Sequence, residues 1–229
     1  MAGTPLKQES DYKLCVDGRF VIRNYNQKKP FSNFLPGIAG LYGTPMWVFY
    51  VNRGQGVASF GTKNKDNAIL EFFPANKAYQ MVTSTGFRTF IKILKSDGRA
   101  MSGKSRAQDP FYEPFKEDIF HGYRILEQSM AVNSHELSID ETNKSLGLRT
   151  TVRYFTIPGE PLPVLARELL IENISSSSVE FELLDGHAVA RRTYHRVILT
   201  GSPTDPDPVD VLMPSGGEIG KPLPWTCLV

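Results

Sequence analysis

The 229-residue sequence has few cysteines, no long apolar run and little net charge. Its two cysteines, Cys15 and Cys227, cannot form the disulfide framework of a small secreted domain. The longest apolar run, MWVFYV, is too short to span a membrane. A net charge of +2, with scattered basic residues, argues against nucleic-acid binding. Because the N-terminus has no apolar secretory signal, we expect a cytoplasmic protein with neither a membrane nor a nucleic-acid partner, and with residues 1–10 disordered.

Catalytic and metal-binding motifs are also scarce. Residues 98–105, GRAMSGKS, fit the phosphate-loop pattern, but Pro110 and Pro114 exclude the helix that must follow its lysine. The four histidines have no metal-ligand spacing, so we expect neither a metal nor a cofactor. Three acidic residues in a Gly- and Pro-containing stretch are expected on a solvated surface: Glu113, Glu117 and Asp118.

The chain instead contains short apolar segments bounded by turn residues, a pattern typical of β-strands. Asp17-Gly18, between Tyr12–Val16 and Arg19–Ile22, predicts a hairpin with a two-residue turn. Leu165–Glu172 is compatible with a strand or a short helix. No longer segment of the sequence combines helical periodicity of its apolar residues with capping residues at both ends. Other strands are predicted at Met46–Val51, Val57–Phe60, Ala68–Phe73, Phe87–Leu94, Tyr123–Val132, His135–Ile139, Leu148–Thr156 and Val179–Leu184. The fold class is therefore all-β, an antiparallel β-sandwich.

The sequence becomes richer in proline and poorer in strand patterns after Gly186. Only Val197–Leu199 reads as a short strand in residues 187–229. Each proline there removes a backbone donor and interrupts a sheet ladder: Pro203, Pro206, Pro208, Pro214, Pro222 and Pro224. We therefore expect an irregular Pro-rich tail, a sandwich that is incomplete at its C-terminus, and one unpaired sheet edge that favours aggregation.

Aromatic residues are dense between residues 47 and 79, and most of them are expected in the core. Alternation along the strand places Trp47 and Phe49 on one face and Tyr50 on the other. Trp47 and Tyr50, with Arg53 nearby, are the candidate sugar-binding residues.

The loop Pro30–Tyr42 is a candidate interaction surface, because exposed apolar patches are uncommon unless a partner covers them. Its candidate interface residues are Phe31, Phe34, Leu35, Ile38 and Tyr42. The alternative is that this loop folds back over its own sandwich.

Two regions carry a resemblance to a known family. The first, residues 31–90, contains FSNFLPGIAG, PMWVFYVNRGQGVASFG, LEFFPANKAY and the first five residues of GFRTFIK. The second, residues 148–186, contains VRYFTIPGEPLPVLARELLIENISSSSVEFELLDG. With the connecting stretch, residues 11–186 resemble the N-terminal β-sandwich domain of the inverting glycoside phosphorylases, the group of cellobiose phosphorylase and the β-1,3-glucan phosphorylases.

The resemblance implies a galactose-mutarotase-like supersandwich from a carbohydrate-active glycosyltransferase. That family cleaves β-glucosidic bonds with inorganic phosphate as co-substrate, and its full-length members are homodimers. Its catalytic Asp lies in an (α/α)6 barrel that has no counterpart here, and the sequence departs from the family after Asp185-Gly186. We therefore expect no catalytic residue and no activity of this chain alone, but a structural or interaction role with β-glucan oligosaccharide as ligand. The alternative is a stand-alone carbohydrate-binding module.

Overall fold

The computed structural model describes residues 11–94, 111–117, 126–187, 193–199, 210–212 and 225–228. The described strands form three antiparallel sheets, which confirms the predicted all-β, sandwich-like class. The seven-stranded sheet has the order β1 (Tyr12–Leu14), β2 (Phe20–Arg23), β9 (Leu126–Val132), β10 (Glu136–Asn143), β11 (Leu148–Thr156), β12 (Leu165–Asn173) and β16 (Trp225–Leu228). Leu165–Glu172, which the sequence left open, is therefore part of a strand.

The other two sheets are smaller. The five-stranded sheet has the order β15 (Asp210–Leu212), β14 (Thr193–Leu199), β13 (Val179–His187), β7 (Phe87–Ile93) and β8 (Phe111–Tyr112). The four-stranded sheet has the order β3 (Ser32–Pro36), β4 (Met46–Val51), β5 (Val57–Thr62) and β6 (Ala68–Leu70). The predicted strand Ala68–Phe73 thus ends three residues early, and Glu71–Pro74 leads irregularly into the helix α1 (Ala75–Thr85).

The core lies where the inner faces of the sheets meet. Buried and less buried residues alternate along β7, β10 and β11, so each strand has one face in the core. All three sheets contribute to the main core cluster, which includes Ile22, Val48, Tyr50, Phe60, Phe87, Ile91, Met130, Ile139, Val152, Tyr154 and Phe181.

The first hairpin is confirmed, but its loop is longer than predicted. β1 and β2 pair with Leu14 opposite Phe20. The Gly18 N–H donates to the Cys15 carbonyl at 3.0 Å, so Gly18 closes the turn instead of occupying its centre. Its φ of 84° is the left-handed conformation that a glycine adopts after such a turn.

Helix α1 was not predicted from the sequence. It packs Ala78 and Val82, four residues apart, against Phe49 and Val51 on the outer face of the four-stranded sheet. Ala75, Ala78, Tyr79 and Val82 follow helical spacing over a short segment, and Tyr79 packs beside the two buried residues. No helix in the described ranges has the length and apolar character needed to cross a membrane.

The loop Pro30–Tyr42 contains an edge strand, which corrects the prediction of an irregular loop. In β3, Leu35 points into the core and Phe34 points outward. The Phe34 N–H donates to Asn33 Oδ1 at 2.8 Å, and Pro36 has no N–H. Since two donors along this edge are occupied or missing, β3 is a poor template for another strand.

The prediction of an unpaired edge beside Val179–Leu184 is wrong. β14 pairs with β13 along its whole length, and β15 pairs with β14. These strands fit between prolines: β14 ends before Pro203, and Pro208 and Pro214 bracket β15. β16 follows Pro224 and pairs with β12. Residues 188–192, 200–209, 213–224 and 229 of the predicted irregular tail, residues 1–10 and the phosphate-loop match at 98–105 lie outside the described residues.

Candidate functional site

The three predicted sugar-binding residues do not form one site. Tyr50 is 3% exposed in the main core, and burial raises the pKa of its phenol. Trp47 lies on the opposite face of β4, partly exposed beside Phe49, as alternation predicted. Arg53 follows β4, with its guanidinium 4.8 Å from the centre of the Tyr79 ring and 2.8 Å from a Glu117 carboxylate oxygen. Of the three, Trp47 is the one placed to meet a ligand.

A groove of about 300 Å³ opens beside Trp47 on the outer face of the four-stranded sheet. We call it the aromatic groove, and it is lined by Phe34, Trp47, Asn64, Lys65 and Phe72. Trp47 and Phe72 meet edge to face, with ring centres 5.8 Å apart and planes at 88°. Phe34 stacks nearly parallel to Phe72 at 6.2 Å. These rings form a corner, a geometry that aromatic quadrupoles favour.

Backbone contacts fix the indole of Trp47 in this groove. Trp47 Nε1–H donates to the Asn64 carbonyl at 3.1 Å. The Asn64 side chain in turn accepts from the Asp66 N–H at 3.0 Å and caps the short turn that carries Lys65. A Cβ at Gly61 would lie 2.7 Å from the indole, so glycine lets the ring lie close against the sheet. The groove is therefore preformed.

Sequence reasoning identified Trp47 but not its neighbours. The sequence places Phe34 in the candidate interface loop and Phe72 among the dense aromatics of residues 47–79, most of which are expected in the core. Asn64 and Lys65 were not singled out, because only the register of β4 against β5 brings this turn beside Trp47. Phe34 on β3 lies directly opposite Phe49 on β4, so its side chain lies on the same outer face of the sheet as Trp47 and Phe49.

A second exposed surface is formed by two adjacent loops, residues 38–44 and 158–162, which we call the loop platform. Gly159 N–H donates to the Ala39 carbonyl at 2.5 Å, and Thr44 Oγ1 donates to the Pro161 carbonyl at 3.2 Å. Its exposed apolar side chains are Ile38 (42%), Leu41 (86%), Tyr42 (78%) and Leu162 (68%). The surface is thus hydrogen-bonded in place while its apolar side chains face solvent.

The predicted interface residues are divided between several environments. Ile38 and Tyr42 lie on the loop platform, Phe34 lines the aromatic groove, and Phe31 is about one-third exposed beside Tyr50. Leu35 is 1% exposed in the core and cannot contact a partner. The interface prediction stays untested for the exposed residues.

Arg167 is the centre of a buried polar network that joins all three sheets. Its guanidinium donates to Asp185 at 2.5 Å, to Gln55 at 2.6 Å and to Thr89 at 2.9 Å, and Nε–H donates to the Tyr154 hydroxyl at 3.2 Å. Burial alone lowers the pKa of Arg167, and interactions with Tyr154 and Asp185 more than offset this, so the pKa is raised. A cation enclosed in this way is not accessible to a ligand.

A second buried network is centred on Glu141, which is 1% exposed. Its carboxylate accepts from the Tyr112 hydroxyl, from the Phe115 N–H at 2.9 Å and from Gln128 Nε2 at 2.5 Å. Phe115 is fully buried with a φ of 66°, and its carbonyl accepts from Asn26 Nδ2 at 2.9 Å. The segment 111–117 is therefore anchored to the sandwich on both sides of a strained residue.

Two of the three carboxylates that were predicted to face solvent form ion pairs. Glu113 lies 2.6 Å from the Arg88 guanidinium with only 15% of its side chain exposed, and Glu117 pairs with Arg53. Asp118 lies outside the described residues. Among the residues that the structure describes, no group of three His, Cys, Asp or Glu side chains could hold a metal ion.

No protein-family model matches the chain, and no curated protein shows significant sequence similarity to it.

Proposed function

We propose that this chain is a non-catalytic β-sandwich of a glycoside phosphorylase-like protein, and that it acts by docking to a catalytic domain or to a neighbouring subunit. The resemblance of residues 11–186 to that family's N-terminal domain supports the assignment. The all-β fold is compatible with it. β-Glucan phosphorolysis would belong to the catalytic barrel, with inorganic phosphate as its co-substrate.

The observation that carries the docking role is the loop platform. Leu41 and Tyr42 expose most of their side chains although their loop is hydrogen-bonded to residues 158–162. Residues 37–46 contain no charged side chain. Glu160 is the one charged residue in the two loops of the platform. An apolar surface held in one conformation loses little entropy when a partner covers it, and such surfaces mark interaction sites.

The platform predicts reversible self-association of the isolated chain, because another copy can cover the exposed side chains when no partner is present. Sedimentation equilibrium over a series of protein concentrations measures the dissociation constant. Burying a leucine contributes about 1.5–3 kcal/mol, so Leu41→Ser with Tyr42→Ser should weaken association at least about tenfold. Both side chains are exposed, so the melting temperature should remain nearly unchanged.

The matched control is Leu14→Ser with Val16→Ser in the first hairpin, where Leu14 is 72% exposed and Val16 is fully exposed. These changes remove similar apolar area at a different surface and should leave association unaltered. The docking proposal is wrong if the unsubstituted chain stays monomeric at millimolar concentration. Equal weakening by both pairs of substitutions would also contradict it.

The second candidate function is a stand-alone carbohydrate-binding module, and the aromatic groove favours it. This candidate needs a sugar site but no docking partner. A chain that binds β-glucan and shows no platform-dependent association would be assigned to it.

A further inference from the structure

We infer that Thr89 and Gln55 join to each other through an ester bond, in a reaction that the folded chain carries out once on itself with the loss of one ammonia. The inference goes beyond the docking role and does not depend on it. The buried network around Arg167 brings together the four groups that this reaction needs: a hydroxyl nucleophile, a base, a carboxamide and a cation at its carbonyl oxygen. Gln55 lies between β4 and β5, Thr89 on β7, Arg167 on β12 and Asp185 on β13.

Thr89 supplies the nucleophile and Asp185 supplies the base. The Thr89 hydroxyl donates to Asp185 Oδ1 at 2.7 Å. A hydroxyl is activated as a nucleophile when an adjacent base accepts its proton and a third group holds that base in place. Here Arg167 Nη1 donates to the other carboxylate oxygen of Asp185 at 2.5 Å. The nucleophile, its base and the group that orients the base are therefore all in contact.

Gln55 supplies the carbon that is attacked. Its Nε2 lies 3.4 Å from Thr89 Oγ1. The bond from Nε2 to the carboxamide carbon is about 1.33 Å long, so this carbon lies within about 4.7 Å of the hydroxyl oxygen. A rotation of the carboxamide reaches the separation of about 3–3.5 Å at which attack begins. Gln55 Oε1 accepts from Arg167 Nη2 at 2.6 Å, so the oxygen on which negative charge develops already faces a cation.

The reaction balances without an oxidant or a cofactor. As Thr89 Oγ1 forms its bond to Gln55 Cδ, the hydroxyl proton passes to Asp185, and an electron pair of the carbonyl group moves onto Oε1 beside Arg167. When this pair returns, the bond from Cδ to Nε2 breaks and the nitrogen takes the proton from Asp185. The products are one ester and one ammonia, and Asp185 and Arg167 end unchanged.

Burial protects both the reactants and the product from water. Thr89, Gln55 and Arg167 are all at most 5% exposed, so water does not compete with the hydroxyl for the carboxamide. The Asp185 side chain is 16% exposed and gives the ammonia a way out. Gln55 is in a turn of the four-stranded sheet and Thr89 is in the five-stranded sheet, so the ester ties these two sheets together covalently.

Mass spectrometry of the full chain after incubation at neutral pH tests the inference. We expect an intact mass that is lower by one ammonia than the mass of the sequence. Trypsin should then release residues 54–63 joined to residues 89–92 as one product, because a Lys or Arg precedes and ends each segment. Alkaline hydroxylamine, which cleaves esters and leaves amides intact, should separate the two peptides.

Thr89→Val removes the hydroxyl at nearly constant volume and should have the full mass of its sequence, whereas Thr89→Ser keeps a hydroxyl and should still lose ammonia. Thr150→Val is the matched control, because Thr150 is also fully buried but is not one of the four groups, and it should lose ammonia as the unsubstituted chain does. A folded chain that keeps the full mass of its sequence overturns the inference and leaves the four groups as a hydrogen-bonded network. Ammonia loss that persists in Thr89→Val, or that maps to other residues, also overturns it.

Discussion

Arg167 offers a quantitative test of how the three sheets are held together. Its guanidinium is fully buried, whereas the Asp185 side chain is 16% exposed. Arg167→Met keeps most of the apolar length but removes the guanidinium donors of Asp185 and Gln55, although the Thr89 hydroxyl still donates to Asp185 at 2.7 Å. Removing one member of a buried ion pair costs about 3–5 kcal/mol. The lower end applies to Arg167→Met, because water can reach the remaining carboxylate of Asp185.

Asp185→Leu should be worse, because it leaves a buried cation that cannot lose its proton. We expect a loss toward the upper end of the same range, about 5 kcal/mol. For a chain of this size, losses of 3–5 kcal/mol correspond to melting temperatures lowered by about 6–20 °C. The double variant Arg167→Met with Asp185→Leu should be less destabilised than the sum of the two single variants, because it leaves neither charge unpaired.

Urea unfolding followed by circular dichroism measures all three variants in one assay. Arg149→Met is the control, because Arg149 pairs with Asp140 and Glu172 at the surface and should cost no more than about 1 kcal/mol. If Arg167→Met is neutral or stabilising, the network does not hold the sheets together. Additive effects in the double variant would show that Arg167 and Asp185 are not energetically coupled.

Two further predictions concern buried groups. Glu141→Gln should lower the free energy of unfolding by about 1–3 kcal/mol and speed hydrogen exchange across residues 111–117. The control Glu127→Gln, at an exposed position, should do neither. Unchanged exchange in Glu141→Gln would show that Glu141 does not anchor the segment. Burial, and for Tyr25 also the charge of Glu141, raises the phenol pKa of Tyr25 and Tyr50 above 10.0. The stability that the two neutral phenols contribute should be fully present below about pH 10 and fall as the pH rises through their pKa in the folded protein. Urea unfolding at several pH values measures this, and stability that rises over the same range would contradict it.

Local alternation predicted much of the sheet structure. Met46–Val51 and Leu148–Thr156 were predicted with their observed bounds. The first is a continuous apolar run that is buried on both faces, and the second alternates buried and less buried residues. The faces of Trp47 and Tyr50 were also predicted. Helix α1 was missed because its apolar residues, Ala78, Tyr79 and Val82, span only two turns after an aromatic segment that reads as a strand. In the Pro-rich tail only Val197–Leu199, the end of β14, was predicted, because β15 and β16 are short and lie close to prolines.

The candidate site depends on contacts distant in sequence. Nothing local indicates that the turn at Asn64 lies beside Trp47, or that Phe34 reaches the same groove from an edge strand. Likewise, Arg167 lies in a segment that reads as an ordinary strand, and its partners Gln55 and Thr89 are more than seventy residues away in the chain. Spacing can place a residue on a face, but it cannot say what the neighbouring element brings to that face.

The most direct test of the central claim is an assay of the full chain with β-1,3- and β-1,4-glucooligosaccharides and inorganic phosphate. Glucose 1-phosphate and shortened oligosaccharides are measured over time at several protein concentrations. A non-catalytic sandwich predicts glucan that is neither phosphorolysed nor hydrolysed at any of them. Glucose 1-phosphate accumulating in proportion to the protein concentration would contradict the account.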